Sequence, residues 1–391
     1  MPSQLPPLRI KAWSAGFAPM FTLGDPLSVS VTPKYLDVGV AEVVLPLTHH
    51  RVPALMAPGV RVTIDYYVGR PASADYTDPD AWVQLISGPI WTRKADGPLA
   101  QGTITFGIEA DDRILNGVLA WPTPTGAIGA QTSAYDKRSG SAEAVIKGYV
   151  RANALTRLAL PIVVATSLDR GGPAELSARF STLTDLLSPV AKLAGLGMTI
   201  YQDGSNGLVF DVTAGTDRTA RVLSEAAGTI TDWSFSTTGP GSTRRIIGGQ
   251  GDDTTRVFRE RAAGALETAW GVIIEALTDS PGEDTTTALD LAGDADLAAT
   301  APTAGVSVTV AETDVVRYGR NLLVGDLVAV QVTDSLLVTD TLSAATVTWS
   351  TDGGLVVEPT VGDGSTETVS ELLVTAVSKA LAGIRSLRAS R

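Results

Sequence analysis

Pro58–Gly69 reads PGVRVTIDYYVG, Leu85–Gly97 reads LISGPIWTRKADG and Gly102–Asp112 reads GTITFGIEADD. Near the other end, Val324–Val332 reads VGDLVAVQV, Leu342–Gly354 reads LSAATVTWSTDGG and Leu355–Gly364 reads LVVEPTVGDG. In both sets a glycine (Gly59, Gly325) opens an alternating strand. The second strand ends in an Asp-Gly turn (Asp96-Gly97, Asp352-Gly353), and the third runs into an acidic turn. Alternation marks half-buried strands, and Asp-Gly favours tight hairpin turns. The chain is therefore expected to hold two similar antiparallel β modules, separated by roughly two hundred residues of other structure. Two copies of one module per chain would let three chains furnish a ring of six units, an arrangement of assembly proteins more than of enzymes.

Working outward, 391 residues exceed one ordinary core, which implies roughly two to four domains. Hydrophobic residues make up 44% and charged residues 18%, the balance of a folded chain and not a disordered one. No cysteine is present, which removes disulfides, thiolate zinc sites and cysteine nucleophiles and leaves the redox compartment open. The N-terminus has no basic segment followed by an apolar stretch, and no apolar run reaches the ~20 residues needed to span a bilayer. Synthesis in the cytoplasm is expected. The net charge of −12 opposes non-specific nucleic-acid binding, which depends on neutralised phosphates. A like-charged wall would let a polyanion slide past; surplus carboxylates also simply keep a surface soluble.

The chain divides by pattern into a first β module (1–112), a small α+β domain (113–215), a second β module (216–365) and a C-terminal helix (366–391). In the first, Arg9–Ala15, Leu27–Pro33 and Gly39–Leu47 read as strands. A short helical turn follows, capped by Thr48 and stopped at Pro58-Gly59. Val60, Val62, Ile64 and Tyr66 are expected to share one strand face. In the α+β part, Ser141 caps a helix striped by Ala144, Val145, Gly148, Tyr149 and Ala152. A second helix is expected to break before Pro189 and stop at Gly195 or Gly197. Met198–Gly215 reads as a hairpin around Asp203–Gly207. The stretch ALETAWGVIIEALT fits either a strand or a helix. Thr368–Ser390 has Glu371 in its first turn and Arg385 and Arg388 in its last, matching the helix dipole.

Candidate chemistry is sparse. His49-His50 is the only histidine site; adjacent histidines point in different directions and lack a third nitrogen or sulfur ligand. The carboxylate doublets Asp111-Asp112, Asp252-Asp253 and Glu283-Asp284 read as solvated turns, since facing acids across a cleft are what glycoside hydrolysis needs. Arg244 and Arg245, with Arg256, Arg259 and Arg261, form a cationic spot. It reads as phosphate or nucleic-acid contact or, preferably, as arginines paired with acids across a subunit interface. Trp13, Trp82, Trp91, Trp121, Trp233, Trp270 and Trp349 are scattered as core or interface anchors. Metalloprotease, phosphate-loop and nucleophile-elbow motifs are all missing from the sequence. No catalytic, cofactor-binding or metal-binding residue is assigned.

The order of parts, and above all LTDLLSPVAKLAGLGMTIYQDGSNGLVFDV, STRRIIGGQGDD and YGRNLLVGDLVAVQV, resembles the tail-hub (baseplate hub) minor tail proteins of long-tailed, siphovirus-type bacteriophages, especially those of actinobacteria. The resemblance implies a mainly β fold with two tube-like antiparallel β-barrel modules, an α+β insert and a terminal helix. It also implies a non-enzymatic homotrimer at the virion tail tip, forming a pseudo-sixfold ring. A distal tail protein or tail tube would dock above and tip or fibre proteins below. Phage DNA would pass through the channel without specific binding, and no cofactor would be held. The modules Gly39 to Ala110 and Ile230 to Val361 would line the ring. Two rival readings stay open: a glycan or cell-wall hydrolase with carboxylates from separate domains, and a host-glycan-binding protein using Trp82 or Tyr76.

Overall fold

The computed structural model describes residues 7–69, 81–281, 285–311, 313, 316–333 and 336–362. The expected terminal helix, Tyr76 and the Glu283-Asp284 doublet lie outside them. Two compact units result: Met1–Asp217 with Thr309–Leu327 and Leu342–Pro359, and Arg218–Val308 with Val328–Thr341 and Thr360–Arg391.

The first part of the chain gives β1 (Leu8–Trp13), β2 (Pro19–Leu23), β3 (Ser28–Thr32), β4 (Val40–Pro46), α1 (Val52–Leu55), β5 (Arg61–Tyr67), β6 (Trp82–Asp96) and β7 (Thr103–Glu109). Then come α2 (Arg113–Gly117), β8 (Asp136–Ser141), α3 (Ala142–Val150), β9 (Ile162–Val164), β10 (Pro173–Ala178), α4 (Leu183–Leu193), β11 (Leu196–Gln202) and β12 (Leu208–Ala214). The remainder gives β13 (Asp217–Leu223), β14 (Ile230–Thr238), β15 (Arg244–Gly248), β16 (Phe258–Ala262), α5 (Gly264–Trp270), β17 (Glu275–Asp279), α6 (Thr286–Ala299), β18 (Thr303–Val310), β19 (Leu327–Thr333), β20 (Leu336–Ser350) and β21 (Gly354–Val361).

The echo in sequence becomes an echo in topology. In space the early strands run β1-β5-β6-β7-β4-β3, and the late ones run β13-β19-β20-β21-β18-β14. Taken in chain order, the six strands of each set are permuted identically. β6 and β20, the central long strands, each have 15 residues. Gly59 and Gly325, which open β5 and β19, both sit at positive φ (+74° and +95°), where a side chain is strained. β3 carries Ser28, Ser30 and Thr32 at alternate positions, and β14 carries Ser234, Ser236 and Thr238. The copies differ in the link between their second and third strands. Thr32 to Val40 is a short loop, whereas Thr238 to Thr303 holds a three-stranded sheet ordered β16-β15-β17 together with α5 and α6.

The expected β-barrel modules are open sheets instead. Strand order ends at β2 on one side of the early set, and at β13 and β14 in the late set. None of these end strands pairs with another among the described residues. Closure requires a ladder between the outermost strands with matched tilt and stagger. Alternation fixes which face a residue takes and carries no such information.

β5 also differs from its half-buried expectation, because all seven of its residues are buried. Its polar side chains are matched: Asp65 accepts from Arg9 (2.8 Å) and lies 3.2 Å from Lys11, while Thr63 Oγ1 accepts from Trp13 Nε1 at 3.1 Å. Thr48 does not cap α1; the cap position is Arg51, whose backbone N–H donates to His49 Nδ1 at 3.2 Å.

In the α+β part, Ser141 accepts from the Ala144 N–H and starts α3, and Thr182 accepts from the Asp185 N–H and starts α4. α4 runs through Pro189 to Leu193, and Gly195 at φ +64° follows its end. Capping and the apolar face of Leu183, Leu187 and Ala191, all fully buried, outweigh the one backbone bond that proline removes. These side chains share a core with Val145, Ile146, Tyr149, Ile200, Phe210 and Val212. The β11–β12 hairpin turns through Gly204–Asn206. The ambiguous ALETAWGVIIEALT stretch is both elements in turn: α5 ends at Gly271 (φ +67°), and β17 then runs parallel to β15.

Candidate functional site

The most distinctive surface of the first unit is one face of the sheet running β20-β3-β4-β7-β6. Register places Thr348 beside Ser30, Ser30 beside Glu42, Glu42 beside Gly107 and Gly107 beside Thr92. Neighbouring rows add Ser28, Thr32, Thr105, Glu109, Ser350 and Lys94. These residues are half-buried or exposed. The opposite face presents Val29, Val31, Ala41, Val43, Ile104, Phe106, Ile108 and Val347, all buried. Hydroxyls bridge strands directly: Thr32 Oγ1 lies 3.1 Å from Thr346 Oγ1 and Ser30 Oγ 3.4 Å from Thr348 Oγ1. Short hydroxyls with two carboxylates and one lysine make a polar wall with little positive charge. Such a wall gives a polyanion few cations to hold it.

Behind this wall lies a buried polar junction that sequence reasoning missed. Asp111, 2% exposed, accepts from Arg61 Nη2 through both oxygens at 2.6 Å and from Ser87 Oγ at 2.7 Å. Arg61 Nε donates to Gln202 Oε1 at 3.1 Å, and the Gln202 N–H donates to Ser87 Oγ at 3.0 Å. The Asp112 Oδ1 accepts the Ile200 N–H at 2.6 Å. Thus β5, β6 and the end of β7 are stitched to β11. Burial raises the Asp111 carboxyl, with Arg61 opposing the shift. Burial and, to a smaller extent, the neighbouring Asp111 push Asp112 up to about 7. This doublet is therefore not a solvated turn. Its acids are already matched to an arginine, a serine and a backbone amide, which leaves no open pair facing a cleft. The buried Arg61 was the available signal, since a strand cation between apolar neighbours requires an acid partner.

A second ionic cluster holds the α+β core. Lys147, 1% exposed, donates to Glu143 Oε1 and Asp211 Oδ1, both at 2.7 Å. Arg170 Nε donates to the other oxygen of Glu143 at 2.9 Å. Hydrogen bonding from Arg170, ahead of Lys147, holds the Glu143 carboxyl well below the usual range.

In the second unit the cationic spot is neutralised within the chain, contrary to the expectation of partners across a subunit interface. Arg259 makes two bonds to Asp290 (3.0 and 2.9 Å), and Arg261 makes two to Asp294 (2.7 and 2.8 Å). Arg244 pairs with Glu267 and Glu260, Arg245 with Asp296 at 3.7 Å, and Arg256 with Asp279. Alternate residues on β16 meet acids one helical turn apart on α6, so two periodicities coincide. The nucleic-acid reading of this spot loses its free cations.

His49 and His50 stack at 4.6 Å between ring centroids, so they do not point apart. Burial, with His50 beside it, lowers the His49 pKa. No group of three or more metal-ligating side chains occurs among the described residues. Asp252 caps a turn at Asp253–Thr255, with both acids exposed. Trp82 is half-buried, edge-on to Tyr67 at 5.3 Å, with Arg9 lying 4.4 Å over its ring. Its face is thereby occupied. Trp13 and Trp349 are buried, whereas Trp91 is 51% exposed beneath Arg113.

Residues 11–363 match the sequence profile of a family described as siphovirus ReqiPepy6 Gp37-like protein. The chain belongs to this family. Among solved structures, the 43 kDa tail protein of prophage MuSo2 from Shewanella oneidensis superposes with TM-score 0.56 at 13% identity, covering 91% of this chain and 98% of that one. A tail protein from Neisseria meningitidis MC58 gives TM-score 0.56 at 11% identity, over 91% and 96% of the two chains. No curated protein matches in sequence. The fold is thus a phage tail-protein fold, in keeping with the resemblance read from the sequence. Both of these structures are described as tail proteins.

Proposed function

We propose that this chain is a structural component of the virion tail, acting as a hub at the tail tip. Three copies would set six like sheet units around a conduit. That ring would join a tail tube or distal tail ring above to tip or fibre proteins below, and DNA would leave through it without specific binding. Membership in a siphovirus family and the tail-protein fold support the coarse part, a structural tail protein in the virion. The single observation behind the finer part is the identical six-strand order in the two copies. An internally duplicated chain is what lets a threefold assembly present a sixfold surface to sixfold neighbours. The hydroxyl-rich sheet face and the net charge of −12 suit a wall that DNA passes and does not grip. In this reading 1–112 and 216–365 are the ring units, and the α+β part 113–215 is fastened to the first of them through the Arg61–Gln202 junction. Sedimentation of the purified full chain tests it: three chain masses are expected, and a monomer at every concentration would contradict it.

A further inference from the structure

The two copies treat their second strand differently. The outer edge of β3 is covered by the second half of β20, with Val31 opposite Val347 and Val29 opposite Trp349. β14 occupies the same place in its own copy and repeats the Ser-x-Ser-x-Thr spacing, yet among the described residues its one strand neighbour is β18. The counterpart of β20 in the early copy is β6. Its pairing with β5 stops at Pro89, and the Ile90 N–H then closes on the Val60 carbonyl at 2.9 Å. In β20 the Leu342 N–H closes on the Asp326 carbonyl at 2.8 Å in the same way, one residue before β19. Past these points the copies diverge. β20 meets β3, whereas Trp91–Asp96 meets β7 on one side and no strand on the other among the described residues. Trp91, Thr92, Lys94, Ala95 and Asp96 are exposed. Among the described residues, one copy has an edge without its strand, and the other has a strand without its edge.

We infer that the C-terminal end of β14 in one chain adds antiparallel to the Lys94–Asp96 end of β6 in a second copy, repeating between chains the β3–β20 ladder made within one. Main-chain hydrogen bonds supply the attraction and alternate side chains the register. Left bare, both edges would be sites for uncontrolled pairing. The contact is head-to-tail, and it closes after three chains if the trimeric reading above holds, on which this inference rests. Carrying the internal register across places Thr238, the counterpart of Thr32, opposite Lys94, and Ser236 opposite Asp96.

The full chain has no native cysteine, so the double variant Thr238→Cys, Lys94→Cys reports the contact alone. Mild oxidation is expected to yield a covalent ladder ending at three chains, reversed by reductant. Shifting one cysteine to Thr237 turns it to the other face of the sheet and is expected to abolish the ladder. Hydrogen exchange on the unaltered chain gives an independent reading, with amides within 236–238 and 94–96 more protected in the trimer than after dilution. A particle of three chains with neither cross-link nor protection would overturn this contact and leave the hub reading standing. A chain that stays monomeric would overturn both.

Discussion

The early and late copies share a strand order, but each spends its irregular residues in a different place. The early copy closes Thr32 to Val40 with a short loop and adds β2 outside β1; the late one opens the equivalent link to hold the β16-β15-β17 sheet with α5 and α6. Their polar interactions differ in kind as well. The early region is locked by buried charge at Arg61 and Asp111, whereas the insertion of the late region is laced by half-exposed arginine–carboxylate pairs along α6. Repetition therefore governs the sheets, and each copy is anchored by its own local chemistry.

The sharpest break in that comparison should come from Arg61→Ala. It strands the Asp111 carboxylate at 2% exposure, and loss of one buried partner costs about 3–5 kcal/mol. Chemical denaturation should show this loss in the first unit. A pH series comes next. Asp112 is raised to about 7, so its burial is harmless when it is protonated and destabilising once it ionises. Stability conferred by a neutral Asp112 should fall as pH rises from about 4 towards 7, and Asp112→Asn should flatten that slope. Glu143 acts in the opposite sense: its lowered pKa contributes stability that is lost as pH falls below the ordinary carboxylate range.

The paired glycines compare the copies directly. Gly59→Ala and Gly325→Ala each force a side chain to positive φ, at about 1 kcal/mol or more. An added Cβ at Gly59 would sit 2.9 Å from the Ala15 Cβ, while at Gly325 it would meet the Tyr35 ring at 3.4 Å. Gly59→Ala should therefore lower the melting temperature more. Equal losses would mean that local strain alone matters. The smallest effect belongs to the late region: a double-mutant cycle on Arg259 and Asp290 should return the weakest coupling of this series, as solvent-screened ion pairs do.

Much of this was legible before any coordinates. Gly59 and Gly325, the Asp352-Gly353 turn and the Asp203–Gly207 hairpin announce themselves because turn geometry restricts residue type locally, whereas Asp96-Gly97 opens a six-residue loop to Thr103. The caps of α3 and α4 are visible for the same reason. Strand order is not legible, since alternation states a residue's face and never its neighbour, and for the same reason it does not distinguish an open sheet from a barrel. Asp111 looked like a turn acid because its partner Arg61 lies 50 residues away. The arginine cluster misled similarly: Asp290 and Asp294 are over 30 residues from the bases they neutralise. Pro189 looked like a helix break because the apolar face that holds α4 together is a tertiary property.

Electron microscopy of the purified full chain probes the doubled sheet unit most directly. The expected image is a ring whose rotational power is sixfold at low resolution, resolving into threefold as the insertion of the late copy becomes visible. A particle with threefold power at every resolution, one lobe per chain, would contradict the equivalence of the two copies.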